Sequence, residues 1–277
     1  HVCMETHRTV ADWQEGRLHL WTSTASPRFV QFEAAGILGI APPQVVVHEV
    51  AVGGSFGAKM TITEHEVLAA ALAREAGRPV LITLTREEEF SATKTRHAFD
   101  VDLTLRADAS GRVRTIEANM TVDSGAYLHS AASVMGASFG PLTGMYRADG
   151  AEISAQVVNT AKLPAGAYRG YGAPQTTYPL EMLMDELAEK LGRDPIDLRI
   201  QNAYRSNDQG LWGKLGGVGL VDCYEAVREA IGWEHEKANR KPGRGIGVAG
   251  AEEISGAHGM PGSNVCGGVV NLHADGR

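Results

Sequence analysis

No stretch of this 277-residue chain stays apolar for more than a few residues, so a membrane-spanning helix has nowhere to sit. Basic charge is in the minority, with 26 Lys and Arg against 33 Asp and Glu and a net charge of −7, and no basic run is interleaved with aromatics. A chain that tracks a phosphate backbone needs both features, which excludes nucleic acid as an expected partner. Cysteine is scarce as well. Cys3, Cys223 and Cys266 lie far apart and form neither a CxxC nor a Cys/His pair at metal-ligand spacing, so no zinc or iron–sulfur site is legible and a reducing cytoplasm is expected. The chain opens on His1 with no signal-peptide pattern and closes on "VVNLHADGR", a strand entering an Asp-Gly turn with no return strand. Both ends therefore read as cuts in a longer protein. What is present is an ordinary globular composition, sufficient for one large core or two modest ones.

The pattern of elements predicts an α+β fold with mixed or antiparallel sheets and packed helices. "RLHLWTST" (17–24) reads as a strand, "PRFVQFEAAGILGI" (27–40) as a helix with Pro near its first turn, and the β-branched run from Val45 as a second strand. "TEHEVLAAALAREAG" predicts a helix stopped by Gly77, with Val67, Leu68, Ala71 and Leu72 on one face, and "PVLITLT" a short buried strand. "FDVDLTLRAD" and "RVRTIEANMTVDSGAY" alternate around Ala109-Ser110-Gly111 as a hairpin, and "AEISAQVVNT" follows as a strand. Leu180, Leu183, Met184, Leu187, Ala188 and Leu191 mark an amphipathic helix ending at Gly192; Asp194 and Pro195 then cap a second. After the Gly-rich stretch "GKLGGVGL" comes "DCYEAVREAIGW", a helix, then the break "KPGRG" and two strand-like runs. The expected division is a first domain over 1–205, a linker and helix over 206–243, and the start of a second domain over 244–277.

Two loops stand out. "AVGGSFGAKM" (51–60) follows a strand, yet Gly57 is followed by Ala58-Lys59-Met60 and not by the Gly-Lys-Ser/Thr of a nucleotide-binding loop. "GAYRGYGAPQ" (166–175) repeats its design, with Tyr171 between glycines as Phe56 is in the first. Each is expected just before a helix, where unpaired N–H groups and the positive dipole end suit anionic oxygens of a ligand. An aromatic between glycines can stand over a flat ligand; equally, both aromatics could be core residues and the glycines turn formers.

"VGGSFGAK" and "AYRGYGAPQ", together with "HVCMETH", "DSGAY" and "MDELAEKLGRDPIDLRIQN", resemble the molybdenum-cofactor-binding subunit of the xanthine dehydrogenase/aldehyde oxidase family, in the family's order and over nearly the whole chain. The resemblance implies the molybdopterin-binding fold of molybdenum hydroxylases. It also implies a molybdopterin, often in its cytosine dinucleotide form, and hydroxylation of an aldehyde or N-heteroaromatic carbon with oxygen from water. Electrons would pass to [2Fe-2S] clusters and FAD on partner domains or subunits. Carried over residue by residue, Gly54, Ser55, Phe56 and Gly57 border the cofactor, with a backbone N–H of Phe56-Gly57 toward an oxygen ligand. Tyr168, Arg169 and Gly170 border it from the second loop, which Gln175 ends as in the family. Met60, Ala137 and Tyr171 fall in the substrate pocket.

Two departures narrow the implied substrate. Purine-hydroxylating members have Glu where this chain has Met60, and an Arg where an ungapped placement puts Ala137. Without both anchors a purine cannot be recognised by hydrogen bonding, so an aldehyde or less polar N-heterocycle is favoured over xanthine. Gly170 stands where a carbon monoxide dehydrogenase has a copper-binding Cys, which excludes that activity. The family's general-base Glu is expected beyond Arg277, so no catalytic residue is assigned, Glu252 and Glu253 included, and no side chain is read as a direct ligand of molybdenum. The chain alone is expected to be inactive. The rival reading, from another class, is a non-catalytic cofactor-binding or assembly module of the same fold.

Overall fold

Glu15 and Gly16, both at positive φ (50° and 77°), form the two-residue turn that folds β1 (Arg8–Gln14) onto β2 (Arg17–Thr22). The computed structural model describes residues 1–252 apart from Trp212 and Arg240. From β2 the chain enters α1 (Pro27–Leu38), which starts on Pro and stops where Gly39 turns left-handed, and returns as β3 (Val45–His48), parallel to β2. Next comes α2 (Glu64–Ala76), opened by a capping box in which the Thr63 N–H donates to Glu66. Then β4 (Val80–Thr83) pairs with β1 and completes a sheet of order β3-β2-β1-β4. Helices α1 and α2 cover one face, burying Leu18, Leu20 and Val45 against Val30, Ala34, Ala35, Ala69, Ala70 and Ala73.

Two expectations fail here. Val67, Leu68, Ala71 and Leu72 do not form the buried face of α2: Leu68 and Leu72 are about half exposed, and the helix buries His65, Glu66, Ala69, Ala70 and Ala73. Alanines let the helix lie close to the sheet, where leucines would hold it off. Nor is β4 a buried strand. It is an edge strand, and Leu81 points to solvent at 63% exposure.

A short helix α3 (Arg86–Ala92), capped by Thr85, and the two-residue strand β5 (Thr95–Arg96) lead to the second sheet. There β6 (Ala98–Ala107) and β7 (Val113–Asp123) form the expected hairpin, with a register shift at Arg106/Ala107. Helices α4 (Ala131–Ala137) and α5 (Phe139–Gly144) follow, and β8 (Gly150–Val158) joins β7 in parallel. The two-residue β9 (Ala165–Gly166) pairs in parallel with β5. Helix α6 runs Ala173–Leu191, beginning earlier than its leucine pattern because Pro174 fits the first turn and Pro179 is accommodated inside the helix. It buries Leu180, Met184 and Ala188 against Ile116, Met120, Leu142 and Met145.

As expected, α7 (Pro195–Asn202) is capped by Asp194, whose carboxylate accepts from the Ile196 and Asp197 N–H groups and from Trp233 Nε1. Helix α8 spans Leu220–Ala230. Residues 244–252 run without regular structure; Glu253, Cys266, the final strand and the remainder of the expected second domain lie outside the described residues. No helix among the described residues is long and apolar enough to cross a membrane.

Candidate functional site

Phe56 and Tyr171 share a backbone feature that the sequence only hinted at. Both adopt the left-handed conformation, at φ 51° and 43°, and each is followed by a glycine near φ 100°, Gly57 at 98° and Gly172 at 101°. A bulky aromatic pays for that conformation, so it persists only where the surroundings impose it, and such positions cluster at ligand sites. Phe56 is 48% exposed and Tyr171 half-buried, so neither is a core residue. One expectation is corrected. The second loop runs straight into α6 with Gly172 as N-cap, but the first does not abut a helix N-terminus, since α2 is capped only at Thr63.

The loops touch. Arg169 N–H donates to the Phe56 carbonyl at 3.0 Å, and a Cβ on Gly57 would come within 2.5 Å of the Ala167 carbonyl oxygen, so only glycine permits the contact. Gly172 likewise presses on the backbone of α4, where a Cβ would lie 2.2 Å from the Val134 oxygen. The structure thus brings Gly54, Ser55, Phe56 and Gly57 to one seam with Tyr168, Arg169, Gly170 and Tyr171. Met60 leaves the first loop half-buried, and Ala137, 8% exposed, lies one turn beyond Val134 on α4. Ser55 serves the turn itself, its Oγ accepting from Lys59 N–H at 3.3 Å.

Each loop has its own anchor. Below the first, the Lys59 ammonium is buried and donates to the Glu5 carboxylate at 2.9 Å and to the Glu5 carbonyl at 3.1 Å; Glu5 Oε2 also accepts from Gly53 N–H. Burial would raise the Glu5 pKa, but Lys59 and the Gly53 N–H more than offset this and hold it low. Beside the second, the Arg96 guanidinium lies 4.1 Å from the Tyr168 ring centroid, donates to the Arg169 carbonyl at 2.8 Å and reaches Gln175 Oε1 at 3.2 Å. Burial draws the Arg96 pKa somewhat below its usual value. His1 stacks on the same ring at 4.0 Å. Tyr168 is thus held by both Arg96 and His1.

Sequence reasoning missed Arg96 and its neighbour Lys94, because a cation in "SATKTRHAF" carries no periodic or spacing signal. Beside Gly170 a cavity of about 410 Å³ opens, lined also by Pro174, Tyr178, Glu181 and Glu252, whose carboxyl pKa is pushed up by burial. Among the described residues no three His, Cys, Asp or Glu side chains are grouped to hold a metal.

The seam can therefore present backbone donors, exposed Arg169 and two aromatics to a flat, anionic ligand. Known proteins show the same arrangement of chain. A family described as the molybdopterin cofactor-binding domain matches residues 1–203. The xanthine dehydrogenase molybdenum-binding subunit of Escherichia coli O157:H7 is 34% identical over 258 residues, covering 90% of this chain and 34% of that protein. The chain thus spans about a third of the length of this curated relative. Among solved structures, aldehyde oxidoreductase from Desulfovibrio gigas superposes with a TM-score of 0.79 at 29% identity, over 86% of this chain and 26% of the other. Quinoline 2-oxidoreductase from Pseudomonas putida 86 gives 0.78 at 28% identity, over 86% and 31%.

Proposed function

The chain belongs to the molybdopterin cofactor-binding domain family, and from that premise we propose that it forms the cofactor-proximal wall of a molybdenum hydroxylase large subunit. The observation that carries the reading is the seam where two strained aromatic loops meet. The Gly57 and Gly170 N–H groups find no acceptor among the described residues, and unpaired donors of this kind suit anionic oxygens. Gly54, Ser55, Phe56, Gly57, Tyr168, Arg169 and Gly170 would hold a molybdopterin. When bound, that cofactor supplies the two-electron oxidation centre for adding water-derived oxygen to a substrate carbon, with electrons leaving to [2Fe-2S] clusters and FAD on partner domains or subunits.

The chain's own part is to bind, to orient and to exclude water. Residues 1–205 would form the first cofactor-binding domain, 206–243 a linker and helix, and 244–277 the opening of the second, in a cytoplasmic enzyme. The general base is assigned to no described acid, so the chain alone should show no turnover.

Met60 and Ala137 support an aldehyde or N-heteroaromatic substrate. A thioether and a methyl group offer a purine no strong hydrogen bond, and such bonds are the main source of strong discrimination. Xanthine is the second reading, favoured by the name of the Escherichia coli relative. The test is the full-length protein purified with its partner subunits, analysed for molybdenum and assayed with an aldehyde, quinoline and xanthine. Near-stoichiometric molybdenum is expected, with kcat/KM for the aldehyde or quinoline at least about tenfold above that for xanthine. Protein without molybdenum would leave the non-catalytic module as the answer, and a preference for xanthine would reverse the substrate assignment.

A further inference from the structure

We propose that Arg96 is a positioning residue that aims the Gly170 N–H into the seam, and that Lys94–Thr95–Arg96 is a strut setting both loops at once; the identity of the anion so addressed rests on the reading above. The argument begins with the peptide plane. All described peptide bonds are trans, so a carbonyl and the N–H of the following residue point in opposite directions. Arg96 Nη2 holds the Arg169 carbonyl at 2.8 Å, which turns the Gly170 N–H away from Arg96. The Arg169 N–H in turn holds the Phe56 carbonyl, which turns the Gly57 N–H away from the second loop. Neither N–H has an acceptor among the described residues, a state they share with the N–H groups of Gly54, Ser55, Phe56, Tyr168 and Gly172. The Phe56 and Arg169 carbonyls are thus consumed within the seam and on Arg96, while the N–H that follows each of them stays free.

The rest of the strut explains why Arg96 can hold that position. Thr95 and Arg96 pair in parallel with Ala165 and Gly166, directly ahead of the second loop. Lys94, 6% exposed, runs its stem along Gly166, where a Cβ would meet its Cδ at 2.8 Å. Its ammonium donates to the Ile62 carbonyl at 3.0 Å and to Thr61 Oγ1, just past Met60 at the exit of the first loop. On the other side, Arg96 Nη1 donates to Gln175, whose Nε2 donates to the His97 carbonyl at 3.3 Å, closing a ring onto the residue next to Arg96. Three consecutive residues therefore reach both loops and the first turn of α6. The planar fork of Arg serves two acceptors and a ring face together; Lys could serve the carbonyl alone.

The test compares Arg96→Met and Arg96→Lys with wild type in the full-length protein with its partners. Molybdenum content, thermal stability and hydrogen exchange of peptides covering 166–175 are measured, with 113–123 as the internal control. Arg96→Met should lose at least about two thirds of the molybdenum and exchange at least about tenfold faster over 166–175, with 113–123 unchanged and Tm within a few degrees of wild type. Arg96→Lys should recover most of the molybdenum, because one donor still reaches the Arg169 carbonyl. Unchanged exchange over 166–175 in Arg96→Met overturns the proposal, and so does loss of molybdenum that Arg96→Lys leaves unrepaired. If wild type itself carries no molybdenum, the functional reading fails, and the strut is then supported or overturned by the exchange result.

Discussion

Under the first sheet, α1 and α2 present Ala34, Ala35, Ala69, Ala70 and Ala73, whereas the second sheet is covered by Leu142, Met145, Leu180 and Met184. The polar residues differ in the same way. The first lobe buries a connected polar group at the end nearest the first loop: Thr22 Oγ1 donates to Glu66 at 2.8 Å, His7 Nδ1 faces the Glu89 carboxylate at 2.9 Å, and His65 contacts Thr63 Oγ1 while its Nε2 has no partner. The second lobe buries one dominant ion pair, Arg199 with Glu181 at 2.7 Å, both backed by further hydrogen bonds. Small side chains bring helix and sheet backbones close and leave the first lobe no slack. Large side chains fill the second and make its stability depend on their volume.

The largest expected effect tests the ion pair. Arg199→Met leaves the Glu181 carboxylate buried without its cation and should cost about 3–5 kcal/mol in urea denaturation, while the double change Arg199→Met with Glu181→Leu should recover much of that loss. A loss under about 1 kcal/mol would mean the pair does not pin the second lobe.

Next comes the contrast in packing. Met184→Ala should cost about 2–5 kcal/mol by opening a cavity, whereas in the first lobe the damaging change is addition, with Ala70→Leu costing about 1–3 kcal/mol by overpacking. Ala70→Gly should cost only about 1 kcal/mol, mainly through helix propensity. If truncation hurts both lobes equally, the distinction in packing fails.

The last contrast is in acid. Burial, then the nearby charges of His7, Lys59 and Lys94, lower the His65 pKa from 6.5 to about 3. The unfolded chain therefore binds this proton first, and stability is lost as pH falls from about 6.5 toward 3, with a slope approaching about 1.4 kcal/mol per pH unit. Glu66 works in the opposite direction above pH 4.5, because burial raises its pKa despite the hydrogen bonds from Thr63 and Thr22. His65→Gln isolates the histidine: the variant should gain stability relative to wild type as pH falls through that window. In the second lobe, burial would raise the Asp194 pKa, but Lys237, Trp233 and two backbone N–H groups bring it to about 2, so its share is lost only below pH 4. Hydrogen exchange at pH 5 should therefore show protection falling first in the peptides of α2.

Much of the fold was legible because its signals are local. Gly77 and Gly192 stop their helices in the left-handed conformation, Asp194 and Pro195 start α7, and alternation marks the β6–β7 hairpin; Gly39 ends α1 in the same way, two residues short of the expected Ile40. The inner face of α2 was misread because hydrophobicity favours Leu68 and Leu72 over alanines, while close approach to the sheet selects the alanines. Strand β1 was overlooked because its turn is Glu-Gly, with a non-glycine residue at positive φ.

The candidate site divides along the same line. Glycine on either side of an aromatic is a local statement about backbone freedom, and by itself it determined that residues 51–60 and 166–175 are special. The order of motifs determined the family. Only the tertiary structure decided that Gly57 presses on Ala167, that Phe56 and Tyr171 are both strained, and that Arg96 grips a carbonyl 73 residues away. Those contacts depend on how two sheets are joined through β5 and β9, and a one-dimensional pattern carries no record of a distance that chain closure across a seam creates.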